Sequence, residues 1–259
     1  MVNPPLQPDL VQAAINGVSP HPPIRGYYDT AAEKRAFLTT IFDETAADYD
    51  KVERWLSLGS GRWYRKQALL RAGLKPGMSV ADVAVGTGLV AAEALAIIGP
   101  RARIVGIDPS AEMLRRARER LGIQTVVSTA ELLPLDTATF DFLSMGYALR
   151  HVDRLDAAFR EFVRVLKPGG RVCVLEITRP KTAMGRMFLR AYLGTLSRVI
   201  GKVTTLAPRT PELWSYYWET IDRCVPPDRV LQSLREAGFI DAKRNVSLGI
   251  FSEYTASKP

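Results

Sequence analysis

The sequence predicts an α/β fold, a mostly parallel sheet covered by helices, on three observations. Asp82-Val83-Ala84-Val85-Gly86-Thr87-Gly88 reads as a strand, a tight glycine turn and the start of a helix. Twenty residues after Gly86, Gly106-Ile107-Asp108-Pro109 reads as a second strand ending in an acid. Leu166-Lys167-Pro168-Gly169-Gly170 is a proline-glycine turn entering a late strand, Arg171 to Ile177. Strand, helix and strand in succession form the unit from which parallel sheets are assembled.

The bulk numbers set the frame. A chain of 259 residues, 47% apolar and 24% charged, suits one domain of ordinary globular composition with room for a subdomain. Its net charge of +8, from 35 basic and 27 acidic side chains, favours anionic surroundings such as a phospholipid surface or an acidic ligand. Two cysteines, Cys173 and Cys224, make no disulfide framework, and without a His/Cys cluster no metal site is expected. Met1-Val2-Asn3-Pro4-Pro5 lacks the charged start and apolar run of a signal peptide, and no apolar stretch is long enough to span a bilayer, so a cytoplasmic location is expected.

Taken in order, residues 1–26 carry six prolines (Pro4, Pro5, Pro8, Pro20, Pro22 and Pro23) and are expected as a flexible, dispensable arm. Residues 27–75 turn helical and are expected to form an N-terminal cap. Thr30 with Glu33 makes a capping box, Phe37, Ile41 and Phe42 recur at helical spacing, and Gly73 with Lys75-Pro76-Gly77 closes the segment. Arg62 and Arg65 are expected on a solvated face. Residues 76–178 form the core. Val80, Val83 and Val85 give its first strand, and Leu89 to Ile98 is an Ala-rich helix. Gly86 and Gly88 let a ligand lie against the main chain, and Asp108 stands where an acid meets ribose hydroxyls.

Gly-Thr-Gly-Leu-Val-Ala also satisfies a loose dinucleotide fingerprint. Three features favour S-adenosylmethionine (SAM). Asp82 lies four residues before Gly86, where it can orient the loop and receive a cationic amino group. About eighty residues precede the first strand. The third is the Pro168-Gly169-Gly170 turn. With these residues the chain resembles the class I SAM-dependent methyltransferases. That resemblance implies a Rossmann-like seven-stranded sheet, mostly parallel with an antiparallel last strand, with N-terminal helices and a helical lid insertion. It also implies SAM as the cofactor and S-adenosyl-L-homocysteine (SAH) as the product.

Ile41 to Asp50, with Gly59 and Arg62 to Arg65, resembles the entry region of the ubiquinone/menaquinone C-methyltransferase (UbiE-type) family. In that family the N-terminal helices lie over the cofactor and the tyrosine at position 49 reaches toward it. The residues alone equally suit a packed aromatic with a wet hydroxyl. The helix after Pro109-Ser110 turns Met113 and Leu114 inward, and the resemblance puts Met113 near the adenine. Thr129-Ala130, after the strand Gln124 to Ser128, resembles the loop that holds the adenine edge. Thr139 to Met145 forms the fourth strand. It runs into Gly146-Tyr147-Ala148-Leu149-Arg150-His151-Val152, similar to the family's Phe-Gly-Leu-Arg-Asn-Val, so Gly146 and Tyr147 are expected at the cofactor. Arg150 can stabilise a phenolate, and His151 titrates in the range of a base; its other reading is a capping or packing role beside the cofactor. A base role predicts that His151→Ala lowers turnover far more than SAM affinity.

Residues 179–226 are expected as a helical lid. No acid occurs between Glu176 and Glu212, whereas Arg179, Lys181, Arg186, Arg190, Arg198, Lys202 and Arg209 do. On a helical projection Arg186, Arg190, Arg198 and Lys202 fall in one half, and Phe188, Tyr192, Leu193, Leu196, Val199, Ile200 and Val203 in the other. Such a helix either packs its apolar face on the core or docks on anionic lipid. Trp214, Tyr216 and Tyr217 lie in a segment similar to the family's Ser-Tyr-x-Tyr-Leu-x-Glu-Ser-Ile helix and are expected to line a pocket for a flat ring. Residues 227–259 supply the last helix, ended by Gly238, and the antiparallel pair Phe239 to Val246 and Leu248 to Ala256.

The resemblance spans roughly residues 37–257. Departures fall at Val85 (a small residue in the family), Leu89 (Asp), Gly61 (His), Thr129 (Asp or Asn) and His151 (Asn). The expected activity is SAM-dependent methylation of a lipophilic or aromatic small molecule, foremost at carbon of a quinol- or phenol-like ring. O- or N-methylation of a specialised metabolite or phospholipid head group is the alternative, as is a SAM-binding protein without methyl transfer. The charge is dispersed and no base-stacking module is evident, so nucleic acid is not the expected partner. The sequence fixes no oligomeric state.

Overall fold

The computed structural model describes residues 17–57, 59–203 and 209–259, with the side chains at 52, 55, 56, 194, 196–203, 211 and 214 outside that description. Helix α1 (Ala31–Leu56) opens on the capping box read from the sequence: Glu33 N donates to Thr30 Oγ1 and Thr30 N to Glu33 Oε2, both at 3.2 Å. Helix α2 (Gly61–Arg71) follows, and Gly73, in the left-handed region at φ 94°, turns the chain into β1 (Val80–Val83). Next come α3 (Leu89–Ile98), β2 (Ile104–Asp108), α4 (Ala111–Leu121), β3 (Gln124–Val127) and β4 (Phe140–Gly146). A short 3-10 turn (Leu149–His151) leads to α5 (Leu155–Val165) and β5 (Leu166–Ile177). The segment expected as a lid carries α6 (Ala183–Val203) and α7 (Thr210–Arg223), and the chain closes with α8 (Pro227–Glu236), β6 (Ile240–Ser247) and β7 (Phe251–Ser257).

The strands make one seven-stranded sheet in the order β3-β2-β1-β4-β5-β7-β6. β3, β2, β1, β4 and β5 pair in parallel, while β7 runs antiparallel to both β5 and β6. This is the predicted Rossmann-like architecture. β1 and β2 are buried along their whole lengths, as parallel strands covered on both faces must be. Phe140, Phe159, Phe162 and Leu234 fill one side of the sheet, and Phe142, Leu69, Ala91 and Leu114 the other. The chain runs from β1 outward to β3 and then returns to place β4 on the other side of β1. The β1/β4 boundary is therefore the switch point, where open α/β sheets leave a crevice beyond their strand ends.

Three expectations need correction. Arg65 is not on a solvated face: it is 2% exposed and its Nη1 donates to Glu53 Oε1 at 2.6 Å, whereas Arg62 is open and pairs with Glu93. Residues 17–26 carry no helix but are fixed to the core. Val225 N donates to Pro20 O at 2.8 Å, Leu155 N to Val18 O at 2.8 Å, and Ile24 is buried. The rest of the arm, residues 1–16, lies outside the described residues. Of the residues projected onto the apolar face of α6, Leu193 is buried, but Phe188 points outward at 72% exposure. The side chains of Leu196, Arg198, Val199, Ile200, Lys202 and Val203 are outside the described residues.

Candidate active site

A cavity of about 230 Å³ opens at the carboxyl ends of the strands flanking the switch point. After β1 the chain contributes Ala84 and Gly86, β2 contributes Asp108 with Pro109 and Ser110 behind it, and β4 contributes Gly146 and Tyr147. Met113 of α4 and the loop residues Thr129 and Ala130 form another wall. The Asp108 carboxylate is held by two backbone donors at 2.9 Å: Gly86 N to Oδ2 and Ser110 N to Oδ1. Burial raises its pKa to about 6 against those two bonds. Gly86 sits at φ 54°, and a Cβ built there meets no protein atom within 4 Å, so it would project into open space at the cavity wall. Ala84 and Tyr147 hold φ of 55° and 59°, a region costing non-glycine residues about 1 kcal/mol or more each. Such strain persists where the surroundings impose it, and both residues line this cavity.

The rest of the glycine-turn motif supports the wall without lining it. Asp82 is 1% exposed inside the sheet, and its Oδ1 accepts from Ser144 Oγ at 2.7 Å; burial pushes its pKa up to about 7. Val85 was expected at the cofactor, but its side chain turns the other way and packs on Gly106, where an added Cβ would come within 2.9 Å of it. Thr87 Oγ1 donates to Asp50 Oδ1 at 2.5 Å. Gly88 caps α3 at φ 86°, with Leu121 Cδ1 only 2.6 Å from where its Cβ would be.

The roof is α1, which contributes Arg35, Leu38, Thr39, Phe42 and Tyr49. Polar bonds fasten it to the sheet end. Asp43 Oδ1 accepts from Ser110 Oγ at 2.5 Å, Asp50 Oδ2 accepts from Arg120 Nη1 at 2.8 Å, and Arg35 Nη1 donates to Asp153 Oδ2 at 2.6 Å. Asp43 and Asp50 stand two turns apart on one face, a spacing visible in the sequence that sequence reasoning passed over.

A second cavity of about 480 Å³ lies beside the first and shares with it three residues, Tyr49, Tyr147 and Tyr217. Its walls are largely apolar: Ile177, Leu189, Tyr192, Leu193, Ile221, Ile250 and Phe251. The three shared tyrosines form a partition. Tyr49 and Tyr217 are hydrogen-bonded to each other, and burial raises all three phenols, so the partition is uncharged at neutral pH.

Of the remaining expected residues, Arg150, His151 and Tyr217 line a chamber and Tyr216 does not. Arg150 lines the larger one, but its guanidinium is buried in an ion pair with Glu176 and lies 4.9 Å over the Tyr217 ring. Its charge is compensated, and its visible work is to brace the partition. His151 lines the smaller chamber and not the larger. Its Nε2 has no protein partner, its Nδ1 is 3.4 Å from the Tyr216 hydroxyl, and burial followed by Arg150 holds its pKa well below 6.5. A neutral imidazole in that place suits a hydrogen bond to the occupant of the smaller cavity, in keeping with the second reading of His151, a place beside the cofactor. His151→Ala should therefore weaken SAH binding by roughly 10-fold, as loss of a buried hydrogen bond does, and His151→Asn should retain most of it, both read by calorimetry. Tyr216 lines neither chamber: it is fully buried against Tyr27, Tyr28 and Phe37. Tyr217 lines both. The Trp214 side chain is outside the described residues. Among the described residues no group of acids, histidines and cysteines is arranged to hold a metal ion.

The smaller cavity fits a nucleoside. It offers a fixed buried carboxylate for vicinal hydroxyls, a glycine wall without Cβ, and an unpartnered imidazole nitrogen.

Comparison with known proteins bears on the same region. The model of the ubiE/COQ5 methyltransferase family matches residues 29–258. A ubiquinone/menaquinone biosynthesis C-methyltransferase of Shewanella pealeana is 32% identical over 222 residues, 83% of this chain and 87% of that protein. Among solved structures, a SAM-dependent methyltransferase of Thermotoga maritima superposes with a TM-score of 0.62 at 23% identity, covering 86% of this chain and all of that one. A Haemonchus contortus phosphoethanolamine N-methyltransferase, solved with SAH, gives a TM-score of 0.56 at 17% identity over 80% of this chain and 56% of its own. At those identities the structures speak for the fold.

Proposed function

The chain belongs to the ubiE/COQ5 methyltransferase family and is a SAM-dependent methyltransferase, and we propose that its acceptor is a quinol- or phenol-like ring methylated at carbon. The observation that carries this reading is the tyrosine partition between a nucleoside-sized chamber and a larger apolar one. The cofactor supplies an electrophilic methyl group. The protein's part is positional: Asp108, Gly86, Met113 and the Thr129-Ala130 loop hold the nucleoside, and the partition sets where the two occupants meet. Methyl transfer needs an in-line approach, so a rigid meeting point accounts for much of the rate. The closed roof and apolar walls keep water away from the ring.

The acceptor enters from a lipid surface. Met184, Met187 and Phe188 are exposed on α6, and Phe188 stacks at 6.4 Å on Tyr192, which lines the larger chamber. Trp63 and Leu248, at 67% and 88% exposure, line the same chamber. Exposed apolar side chains grouped at one chamber rather than scattered mark a docking surface. Lys181 and Arg190 stand among them and favour anionic head groups. No described helix is long and apolar enough to cross a membrane.

One experiment tests both parts. Reduced prenyl-benzoquinol and prenyl-naphthoquinol, presented in detergent and in anionic vesicles, are incubated with SAM labelled with ¹³C at the methyl. A new carbon-bound methyl resonance, formed several-fold faster from anionic than from zwitterionic vesicles, is expected. An oxygen-bound methyl, or no product from either ring, overturns the acceptor reading; equal rates from both vesicles overturn the lipid route.

A further inference from the structure

The larger chamber has one carboxylate among its described lining residues, Glu53, and no histidine. Glu53 lies one helical turn beyond Tyr49 on α1, so the two share a face and Glu53 flanks the partition. Its Oε1 is held at 2.6 Å by Nη1 of the buried Arg65, while the Glu53 side chain keeps 24% of its surface open. Gly61 makes room for it: a Cβ at that position would stand 2.2 Å from Glu53 Oε1. Any other residue at 61 would move the carboxylate. The other charged groups of this chamber are cations already engaged, Arg71 in a two-point bond with Glu253 and Arg150 with Glu176.

We propose that Glu53 is the group that takes the hydroxyl proton of the acceptor ring, an assignment that rests on the phenolic reading of the acceptor. The O–H bond breaks, its proton passes to the Glu53 carboxylate, and the electron pair spreads to the adjacent ring carbon. That carbon forms the bond to the methyl as the C–S pair stays on sulfur. The ring carbon then releases its own hydrogen as a proton to water, and Glu53 returns the hydroxyl proton, so one proton is set free per methyl transferred.

The test is Glu53→Gln, which keeps an oxygen for Arg65, assayed on phenolic rings of graded acidity. Expected is a loss of kcat of roughly 100-fold or more on the least acidic ring, shrinking as the ring hydroxyl becomes acidic enough to ionise unaided. Affinities for SAH and for the acceptor, by calorimetry, should stay within about threefold, since a base acts on kcat. Should the single variant unfold, Glu53→Gln combined with Arg65→Gln removes both members of the pair and serves the same comparison. Wild-type kcat in the variant, or a deficit that does not vary with ring acidity, overturns the assignment. A wild-type enzyme that methylates no phenolic ring overturns the acceptor reading, and the role of Glu53 with it.

Discussion

Gly86→Val is expected to fold and to lose SAH affinity by at least about 100-fold, or roughly 2.7 kcal/mol. Nothing in the protein stands within 4 Å of the added Cβ, and Gly86 lines the smaller chamber, so the new methyl groups take space reserved for the ligand. The left-handed φ of 54° adds strain of about 1–2 kcal/mol for a side-chain-bearing residue, which melting would register as a modest loss. Gly88→Ala provides the contrast two residues on. Its Cβ would press within 2.6 Å of Leu121 Cδ1 in the core, so that variant should lose stability before it loses affinity. Calorimetry with SAH and thermal melts on the two proteins separate the roles. Similar binding losses in both, or unaltered binding in Gly86→Val, would show that the chamber is not where the nucleoside lies.

The second large effect concerns Asp82. Its folded pKa of about 7, raised by burial from an ordinary 3.8, means the folded state holds its proton more tightly than the unfolded chain does. An acid raised in this way costs nothing below pH 3.8, and its cost builds as pH rises through the interval up to about 7. The full gap corresponds to an upper limit of about 4 kcal/mol at pH 8. Asp82→Asn keeps an acceptor for Ser144 Oγ and removes the charge, so the ligand-free variant should melt several degrees higher at pH 8, with a gap that shrinks as pH falls and closes only toward pH 3.8. Asp108, raised to about 6, adds to the same trend in both proteins. His21 and His151 oppose it, because burial keeps them neutral and their cost grows as pH falls below 6.5. Both histidines remain in the variant, and the difference between the two proteins isolates Asp82. A buried charge kept at such a cost, one shell behind a site for a sulfonium ligand, points to use, so the variant should also bind SAM less tightly at pH 8. A lower melting point for Asp82→Asn at pH 8 would refute the placement of that charge.

What the sequence disclosed was the chemistry that is local in the chain. The glycine turn, the acid ending β2 and the succession of strands along the chain could be read because φ requirements, β-branched runs and turn residues act over a few positions, whereas the sheet they join was implied by the family resemblance. The capping box at Thr30 and Glu33 belongs to the same class. What stayed hidden depends on which distant residues meet. The partition joins Tyr49, Tyr147 and Tyr217 from α1, the end of β4 and α7, and nothing in their spacing announces it. Tyr216 and Tyr217 look alike in sequence, yet one packs in the core and the other divides the site. Arg65 looked like surface because helical charge usually is, but Glu53 at the α1–α2 corner gives it a partner in the interior. Phe188 belonged to an apolar face that could pack on the core or meet lipid, and it faces outward, stacked on Tyr192 of the larger chamber.

Two adjoining chambers divide the labour of binding cofactor and acceptor, and a crystal structure with SAH tests that division most directly. The nucleoside should occupy the smaller chamber with its ribose hydroxyls within hydrogen-bond distance of Asp108. Its sulfur should face Tyr49, Tyr147 and Tyr217, and the larger chamber should remain open behind them. A nucleoside seated in the larger chamber, or one that leaves the Asp108 carboxylate untouched, would contradict it.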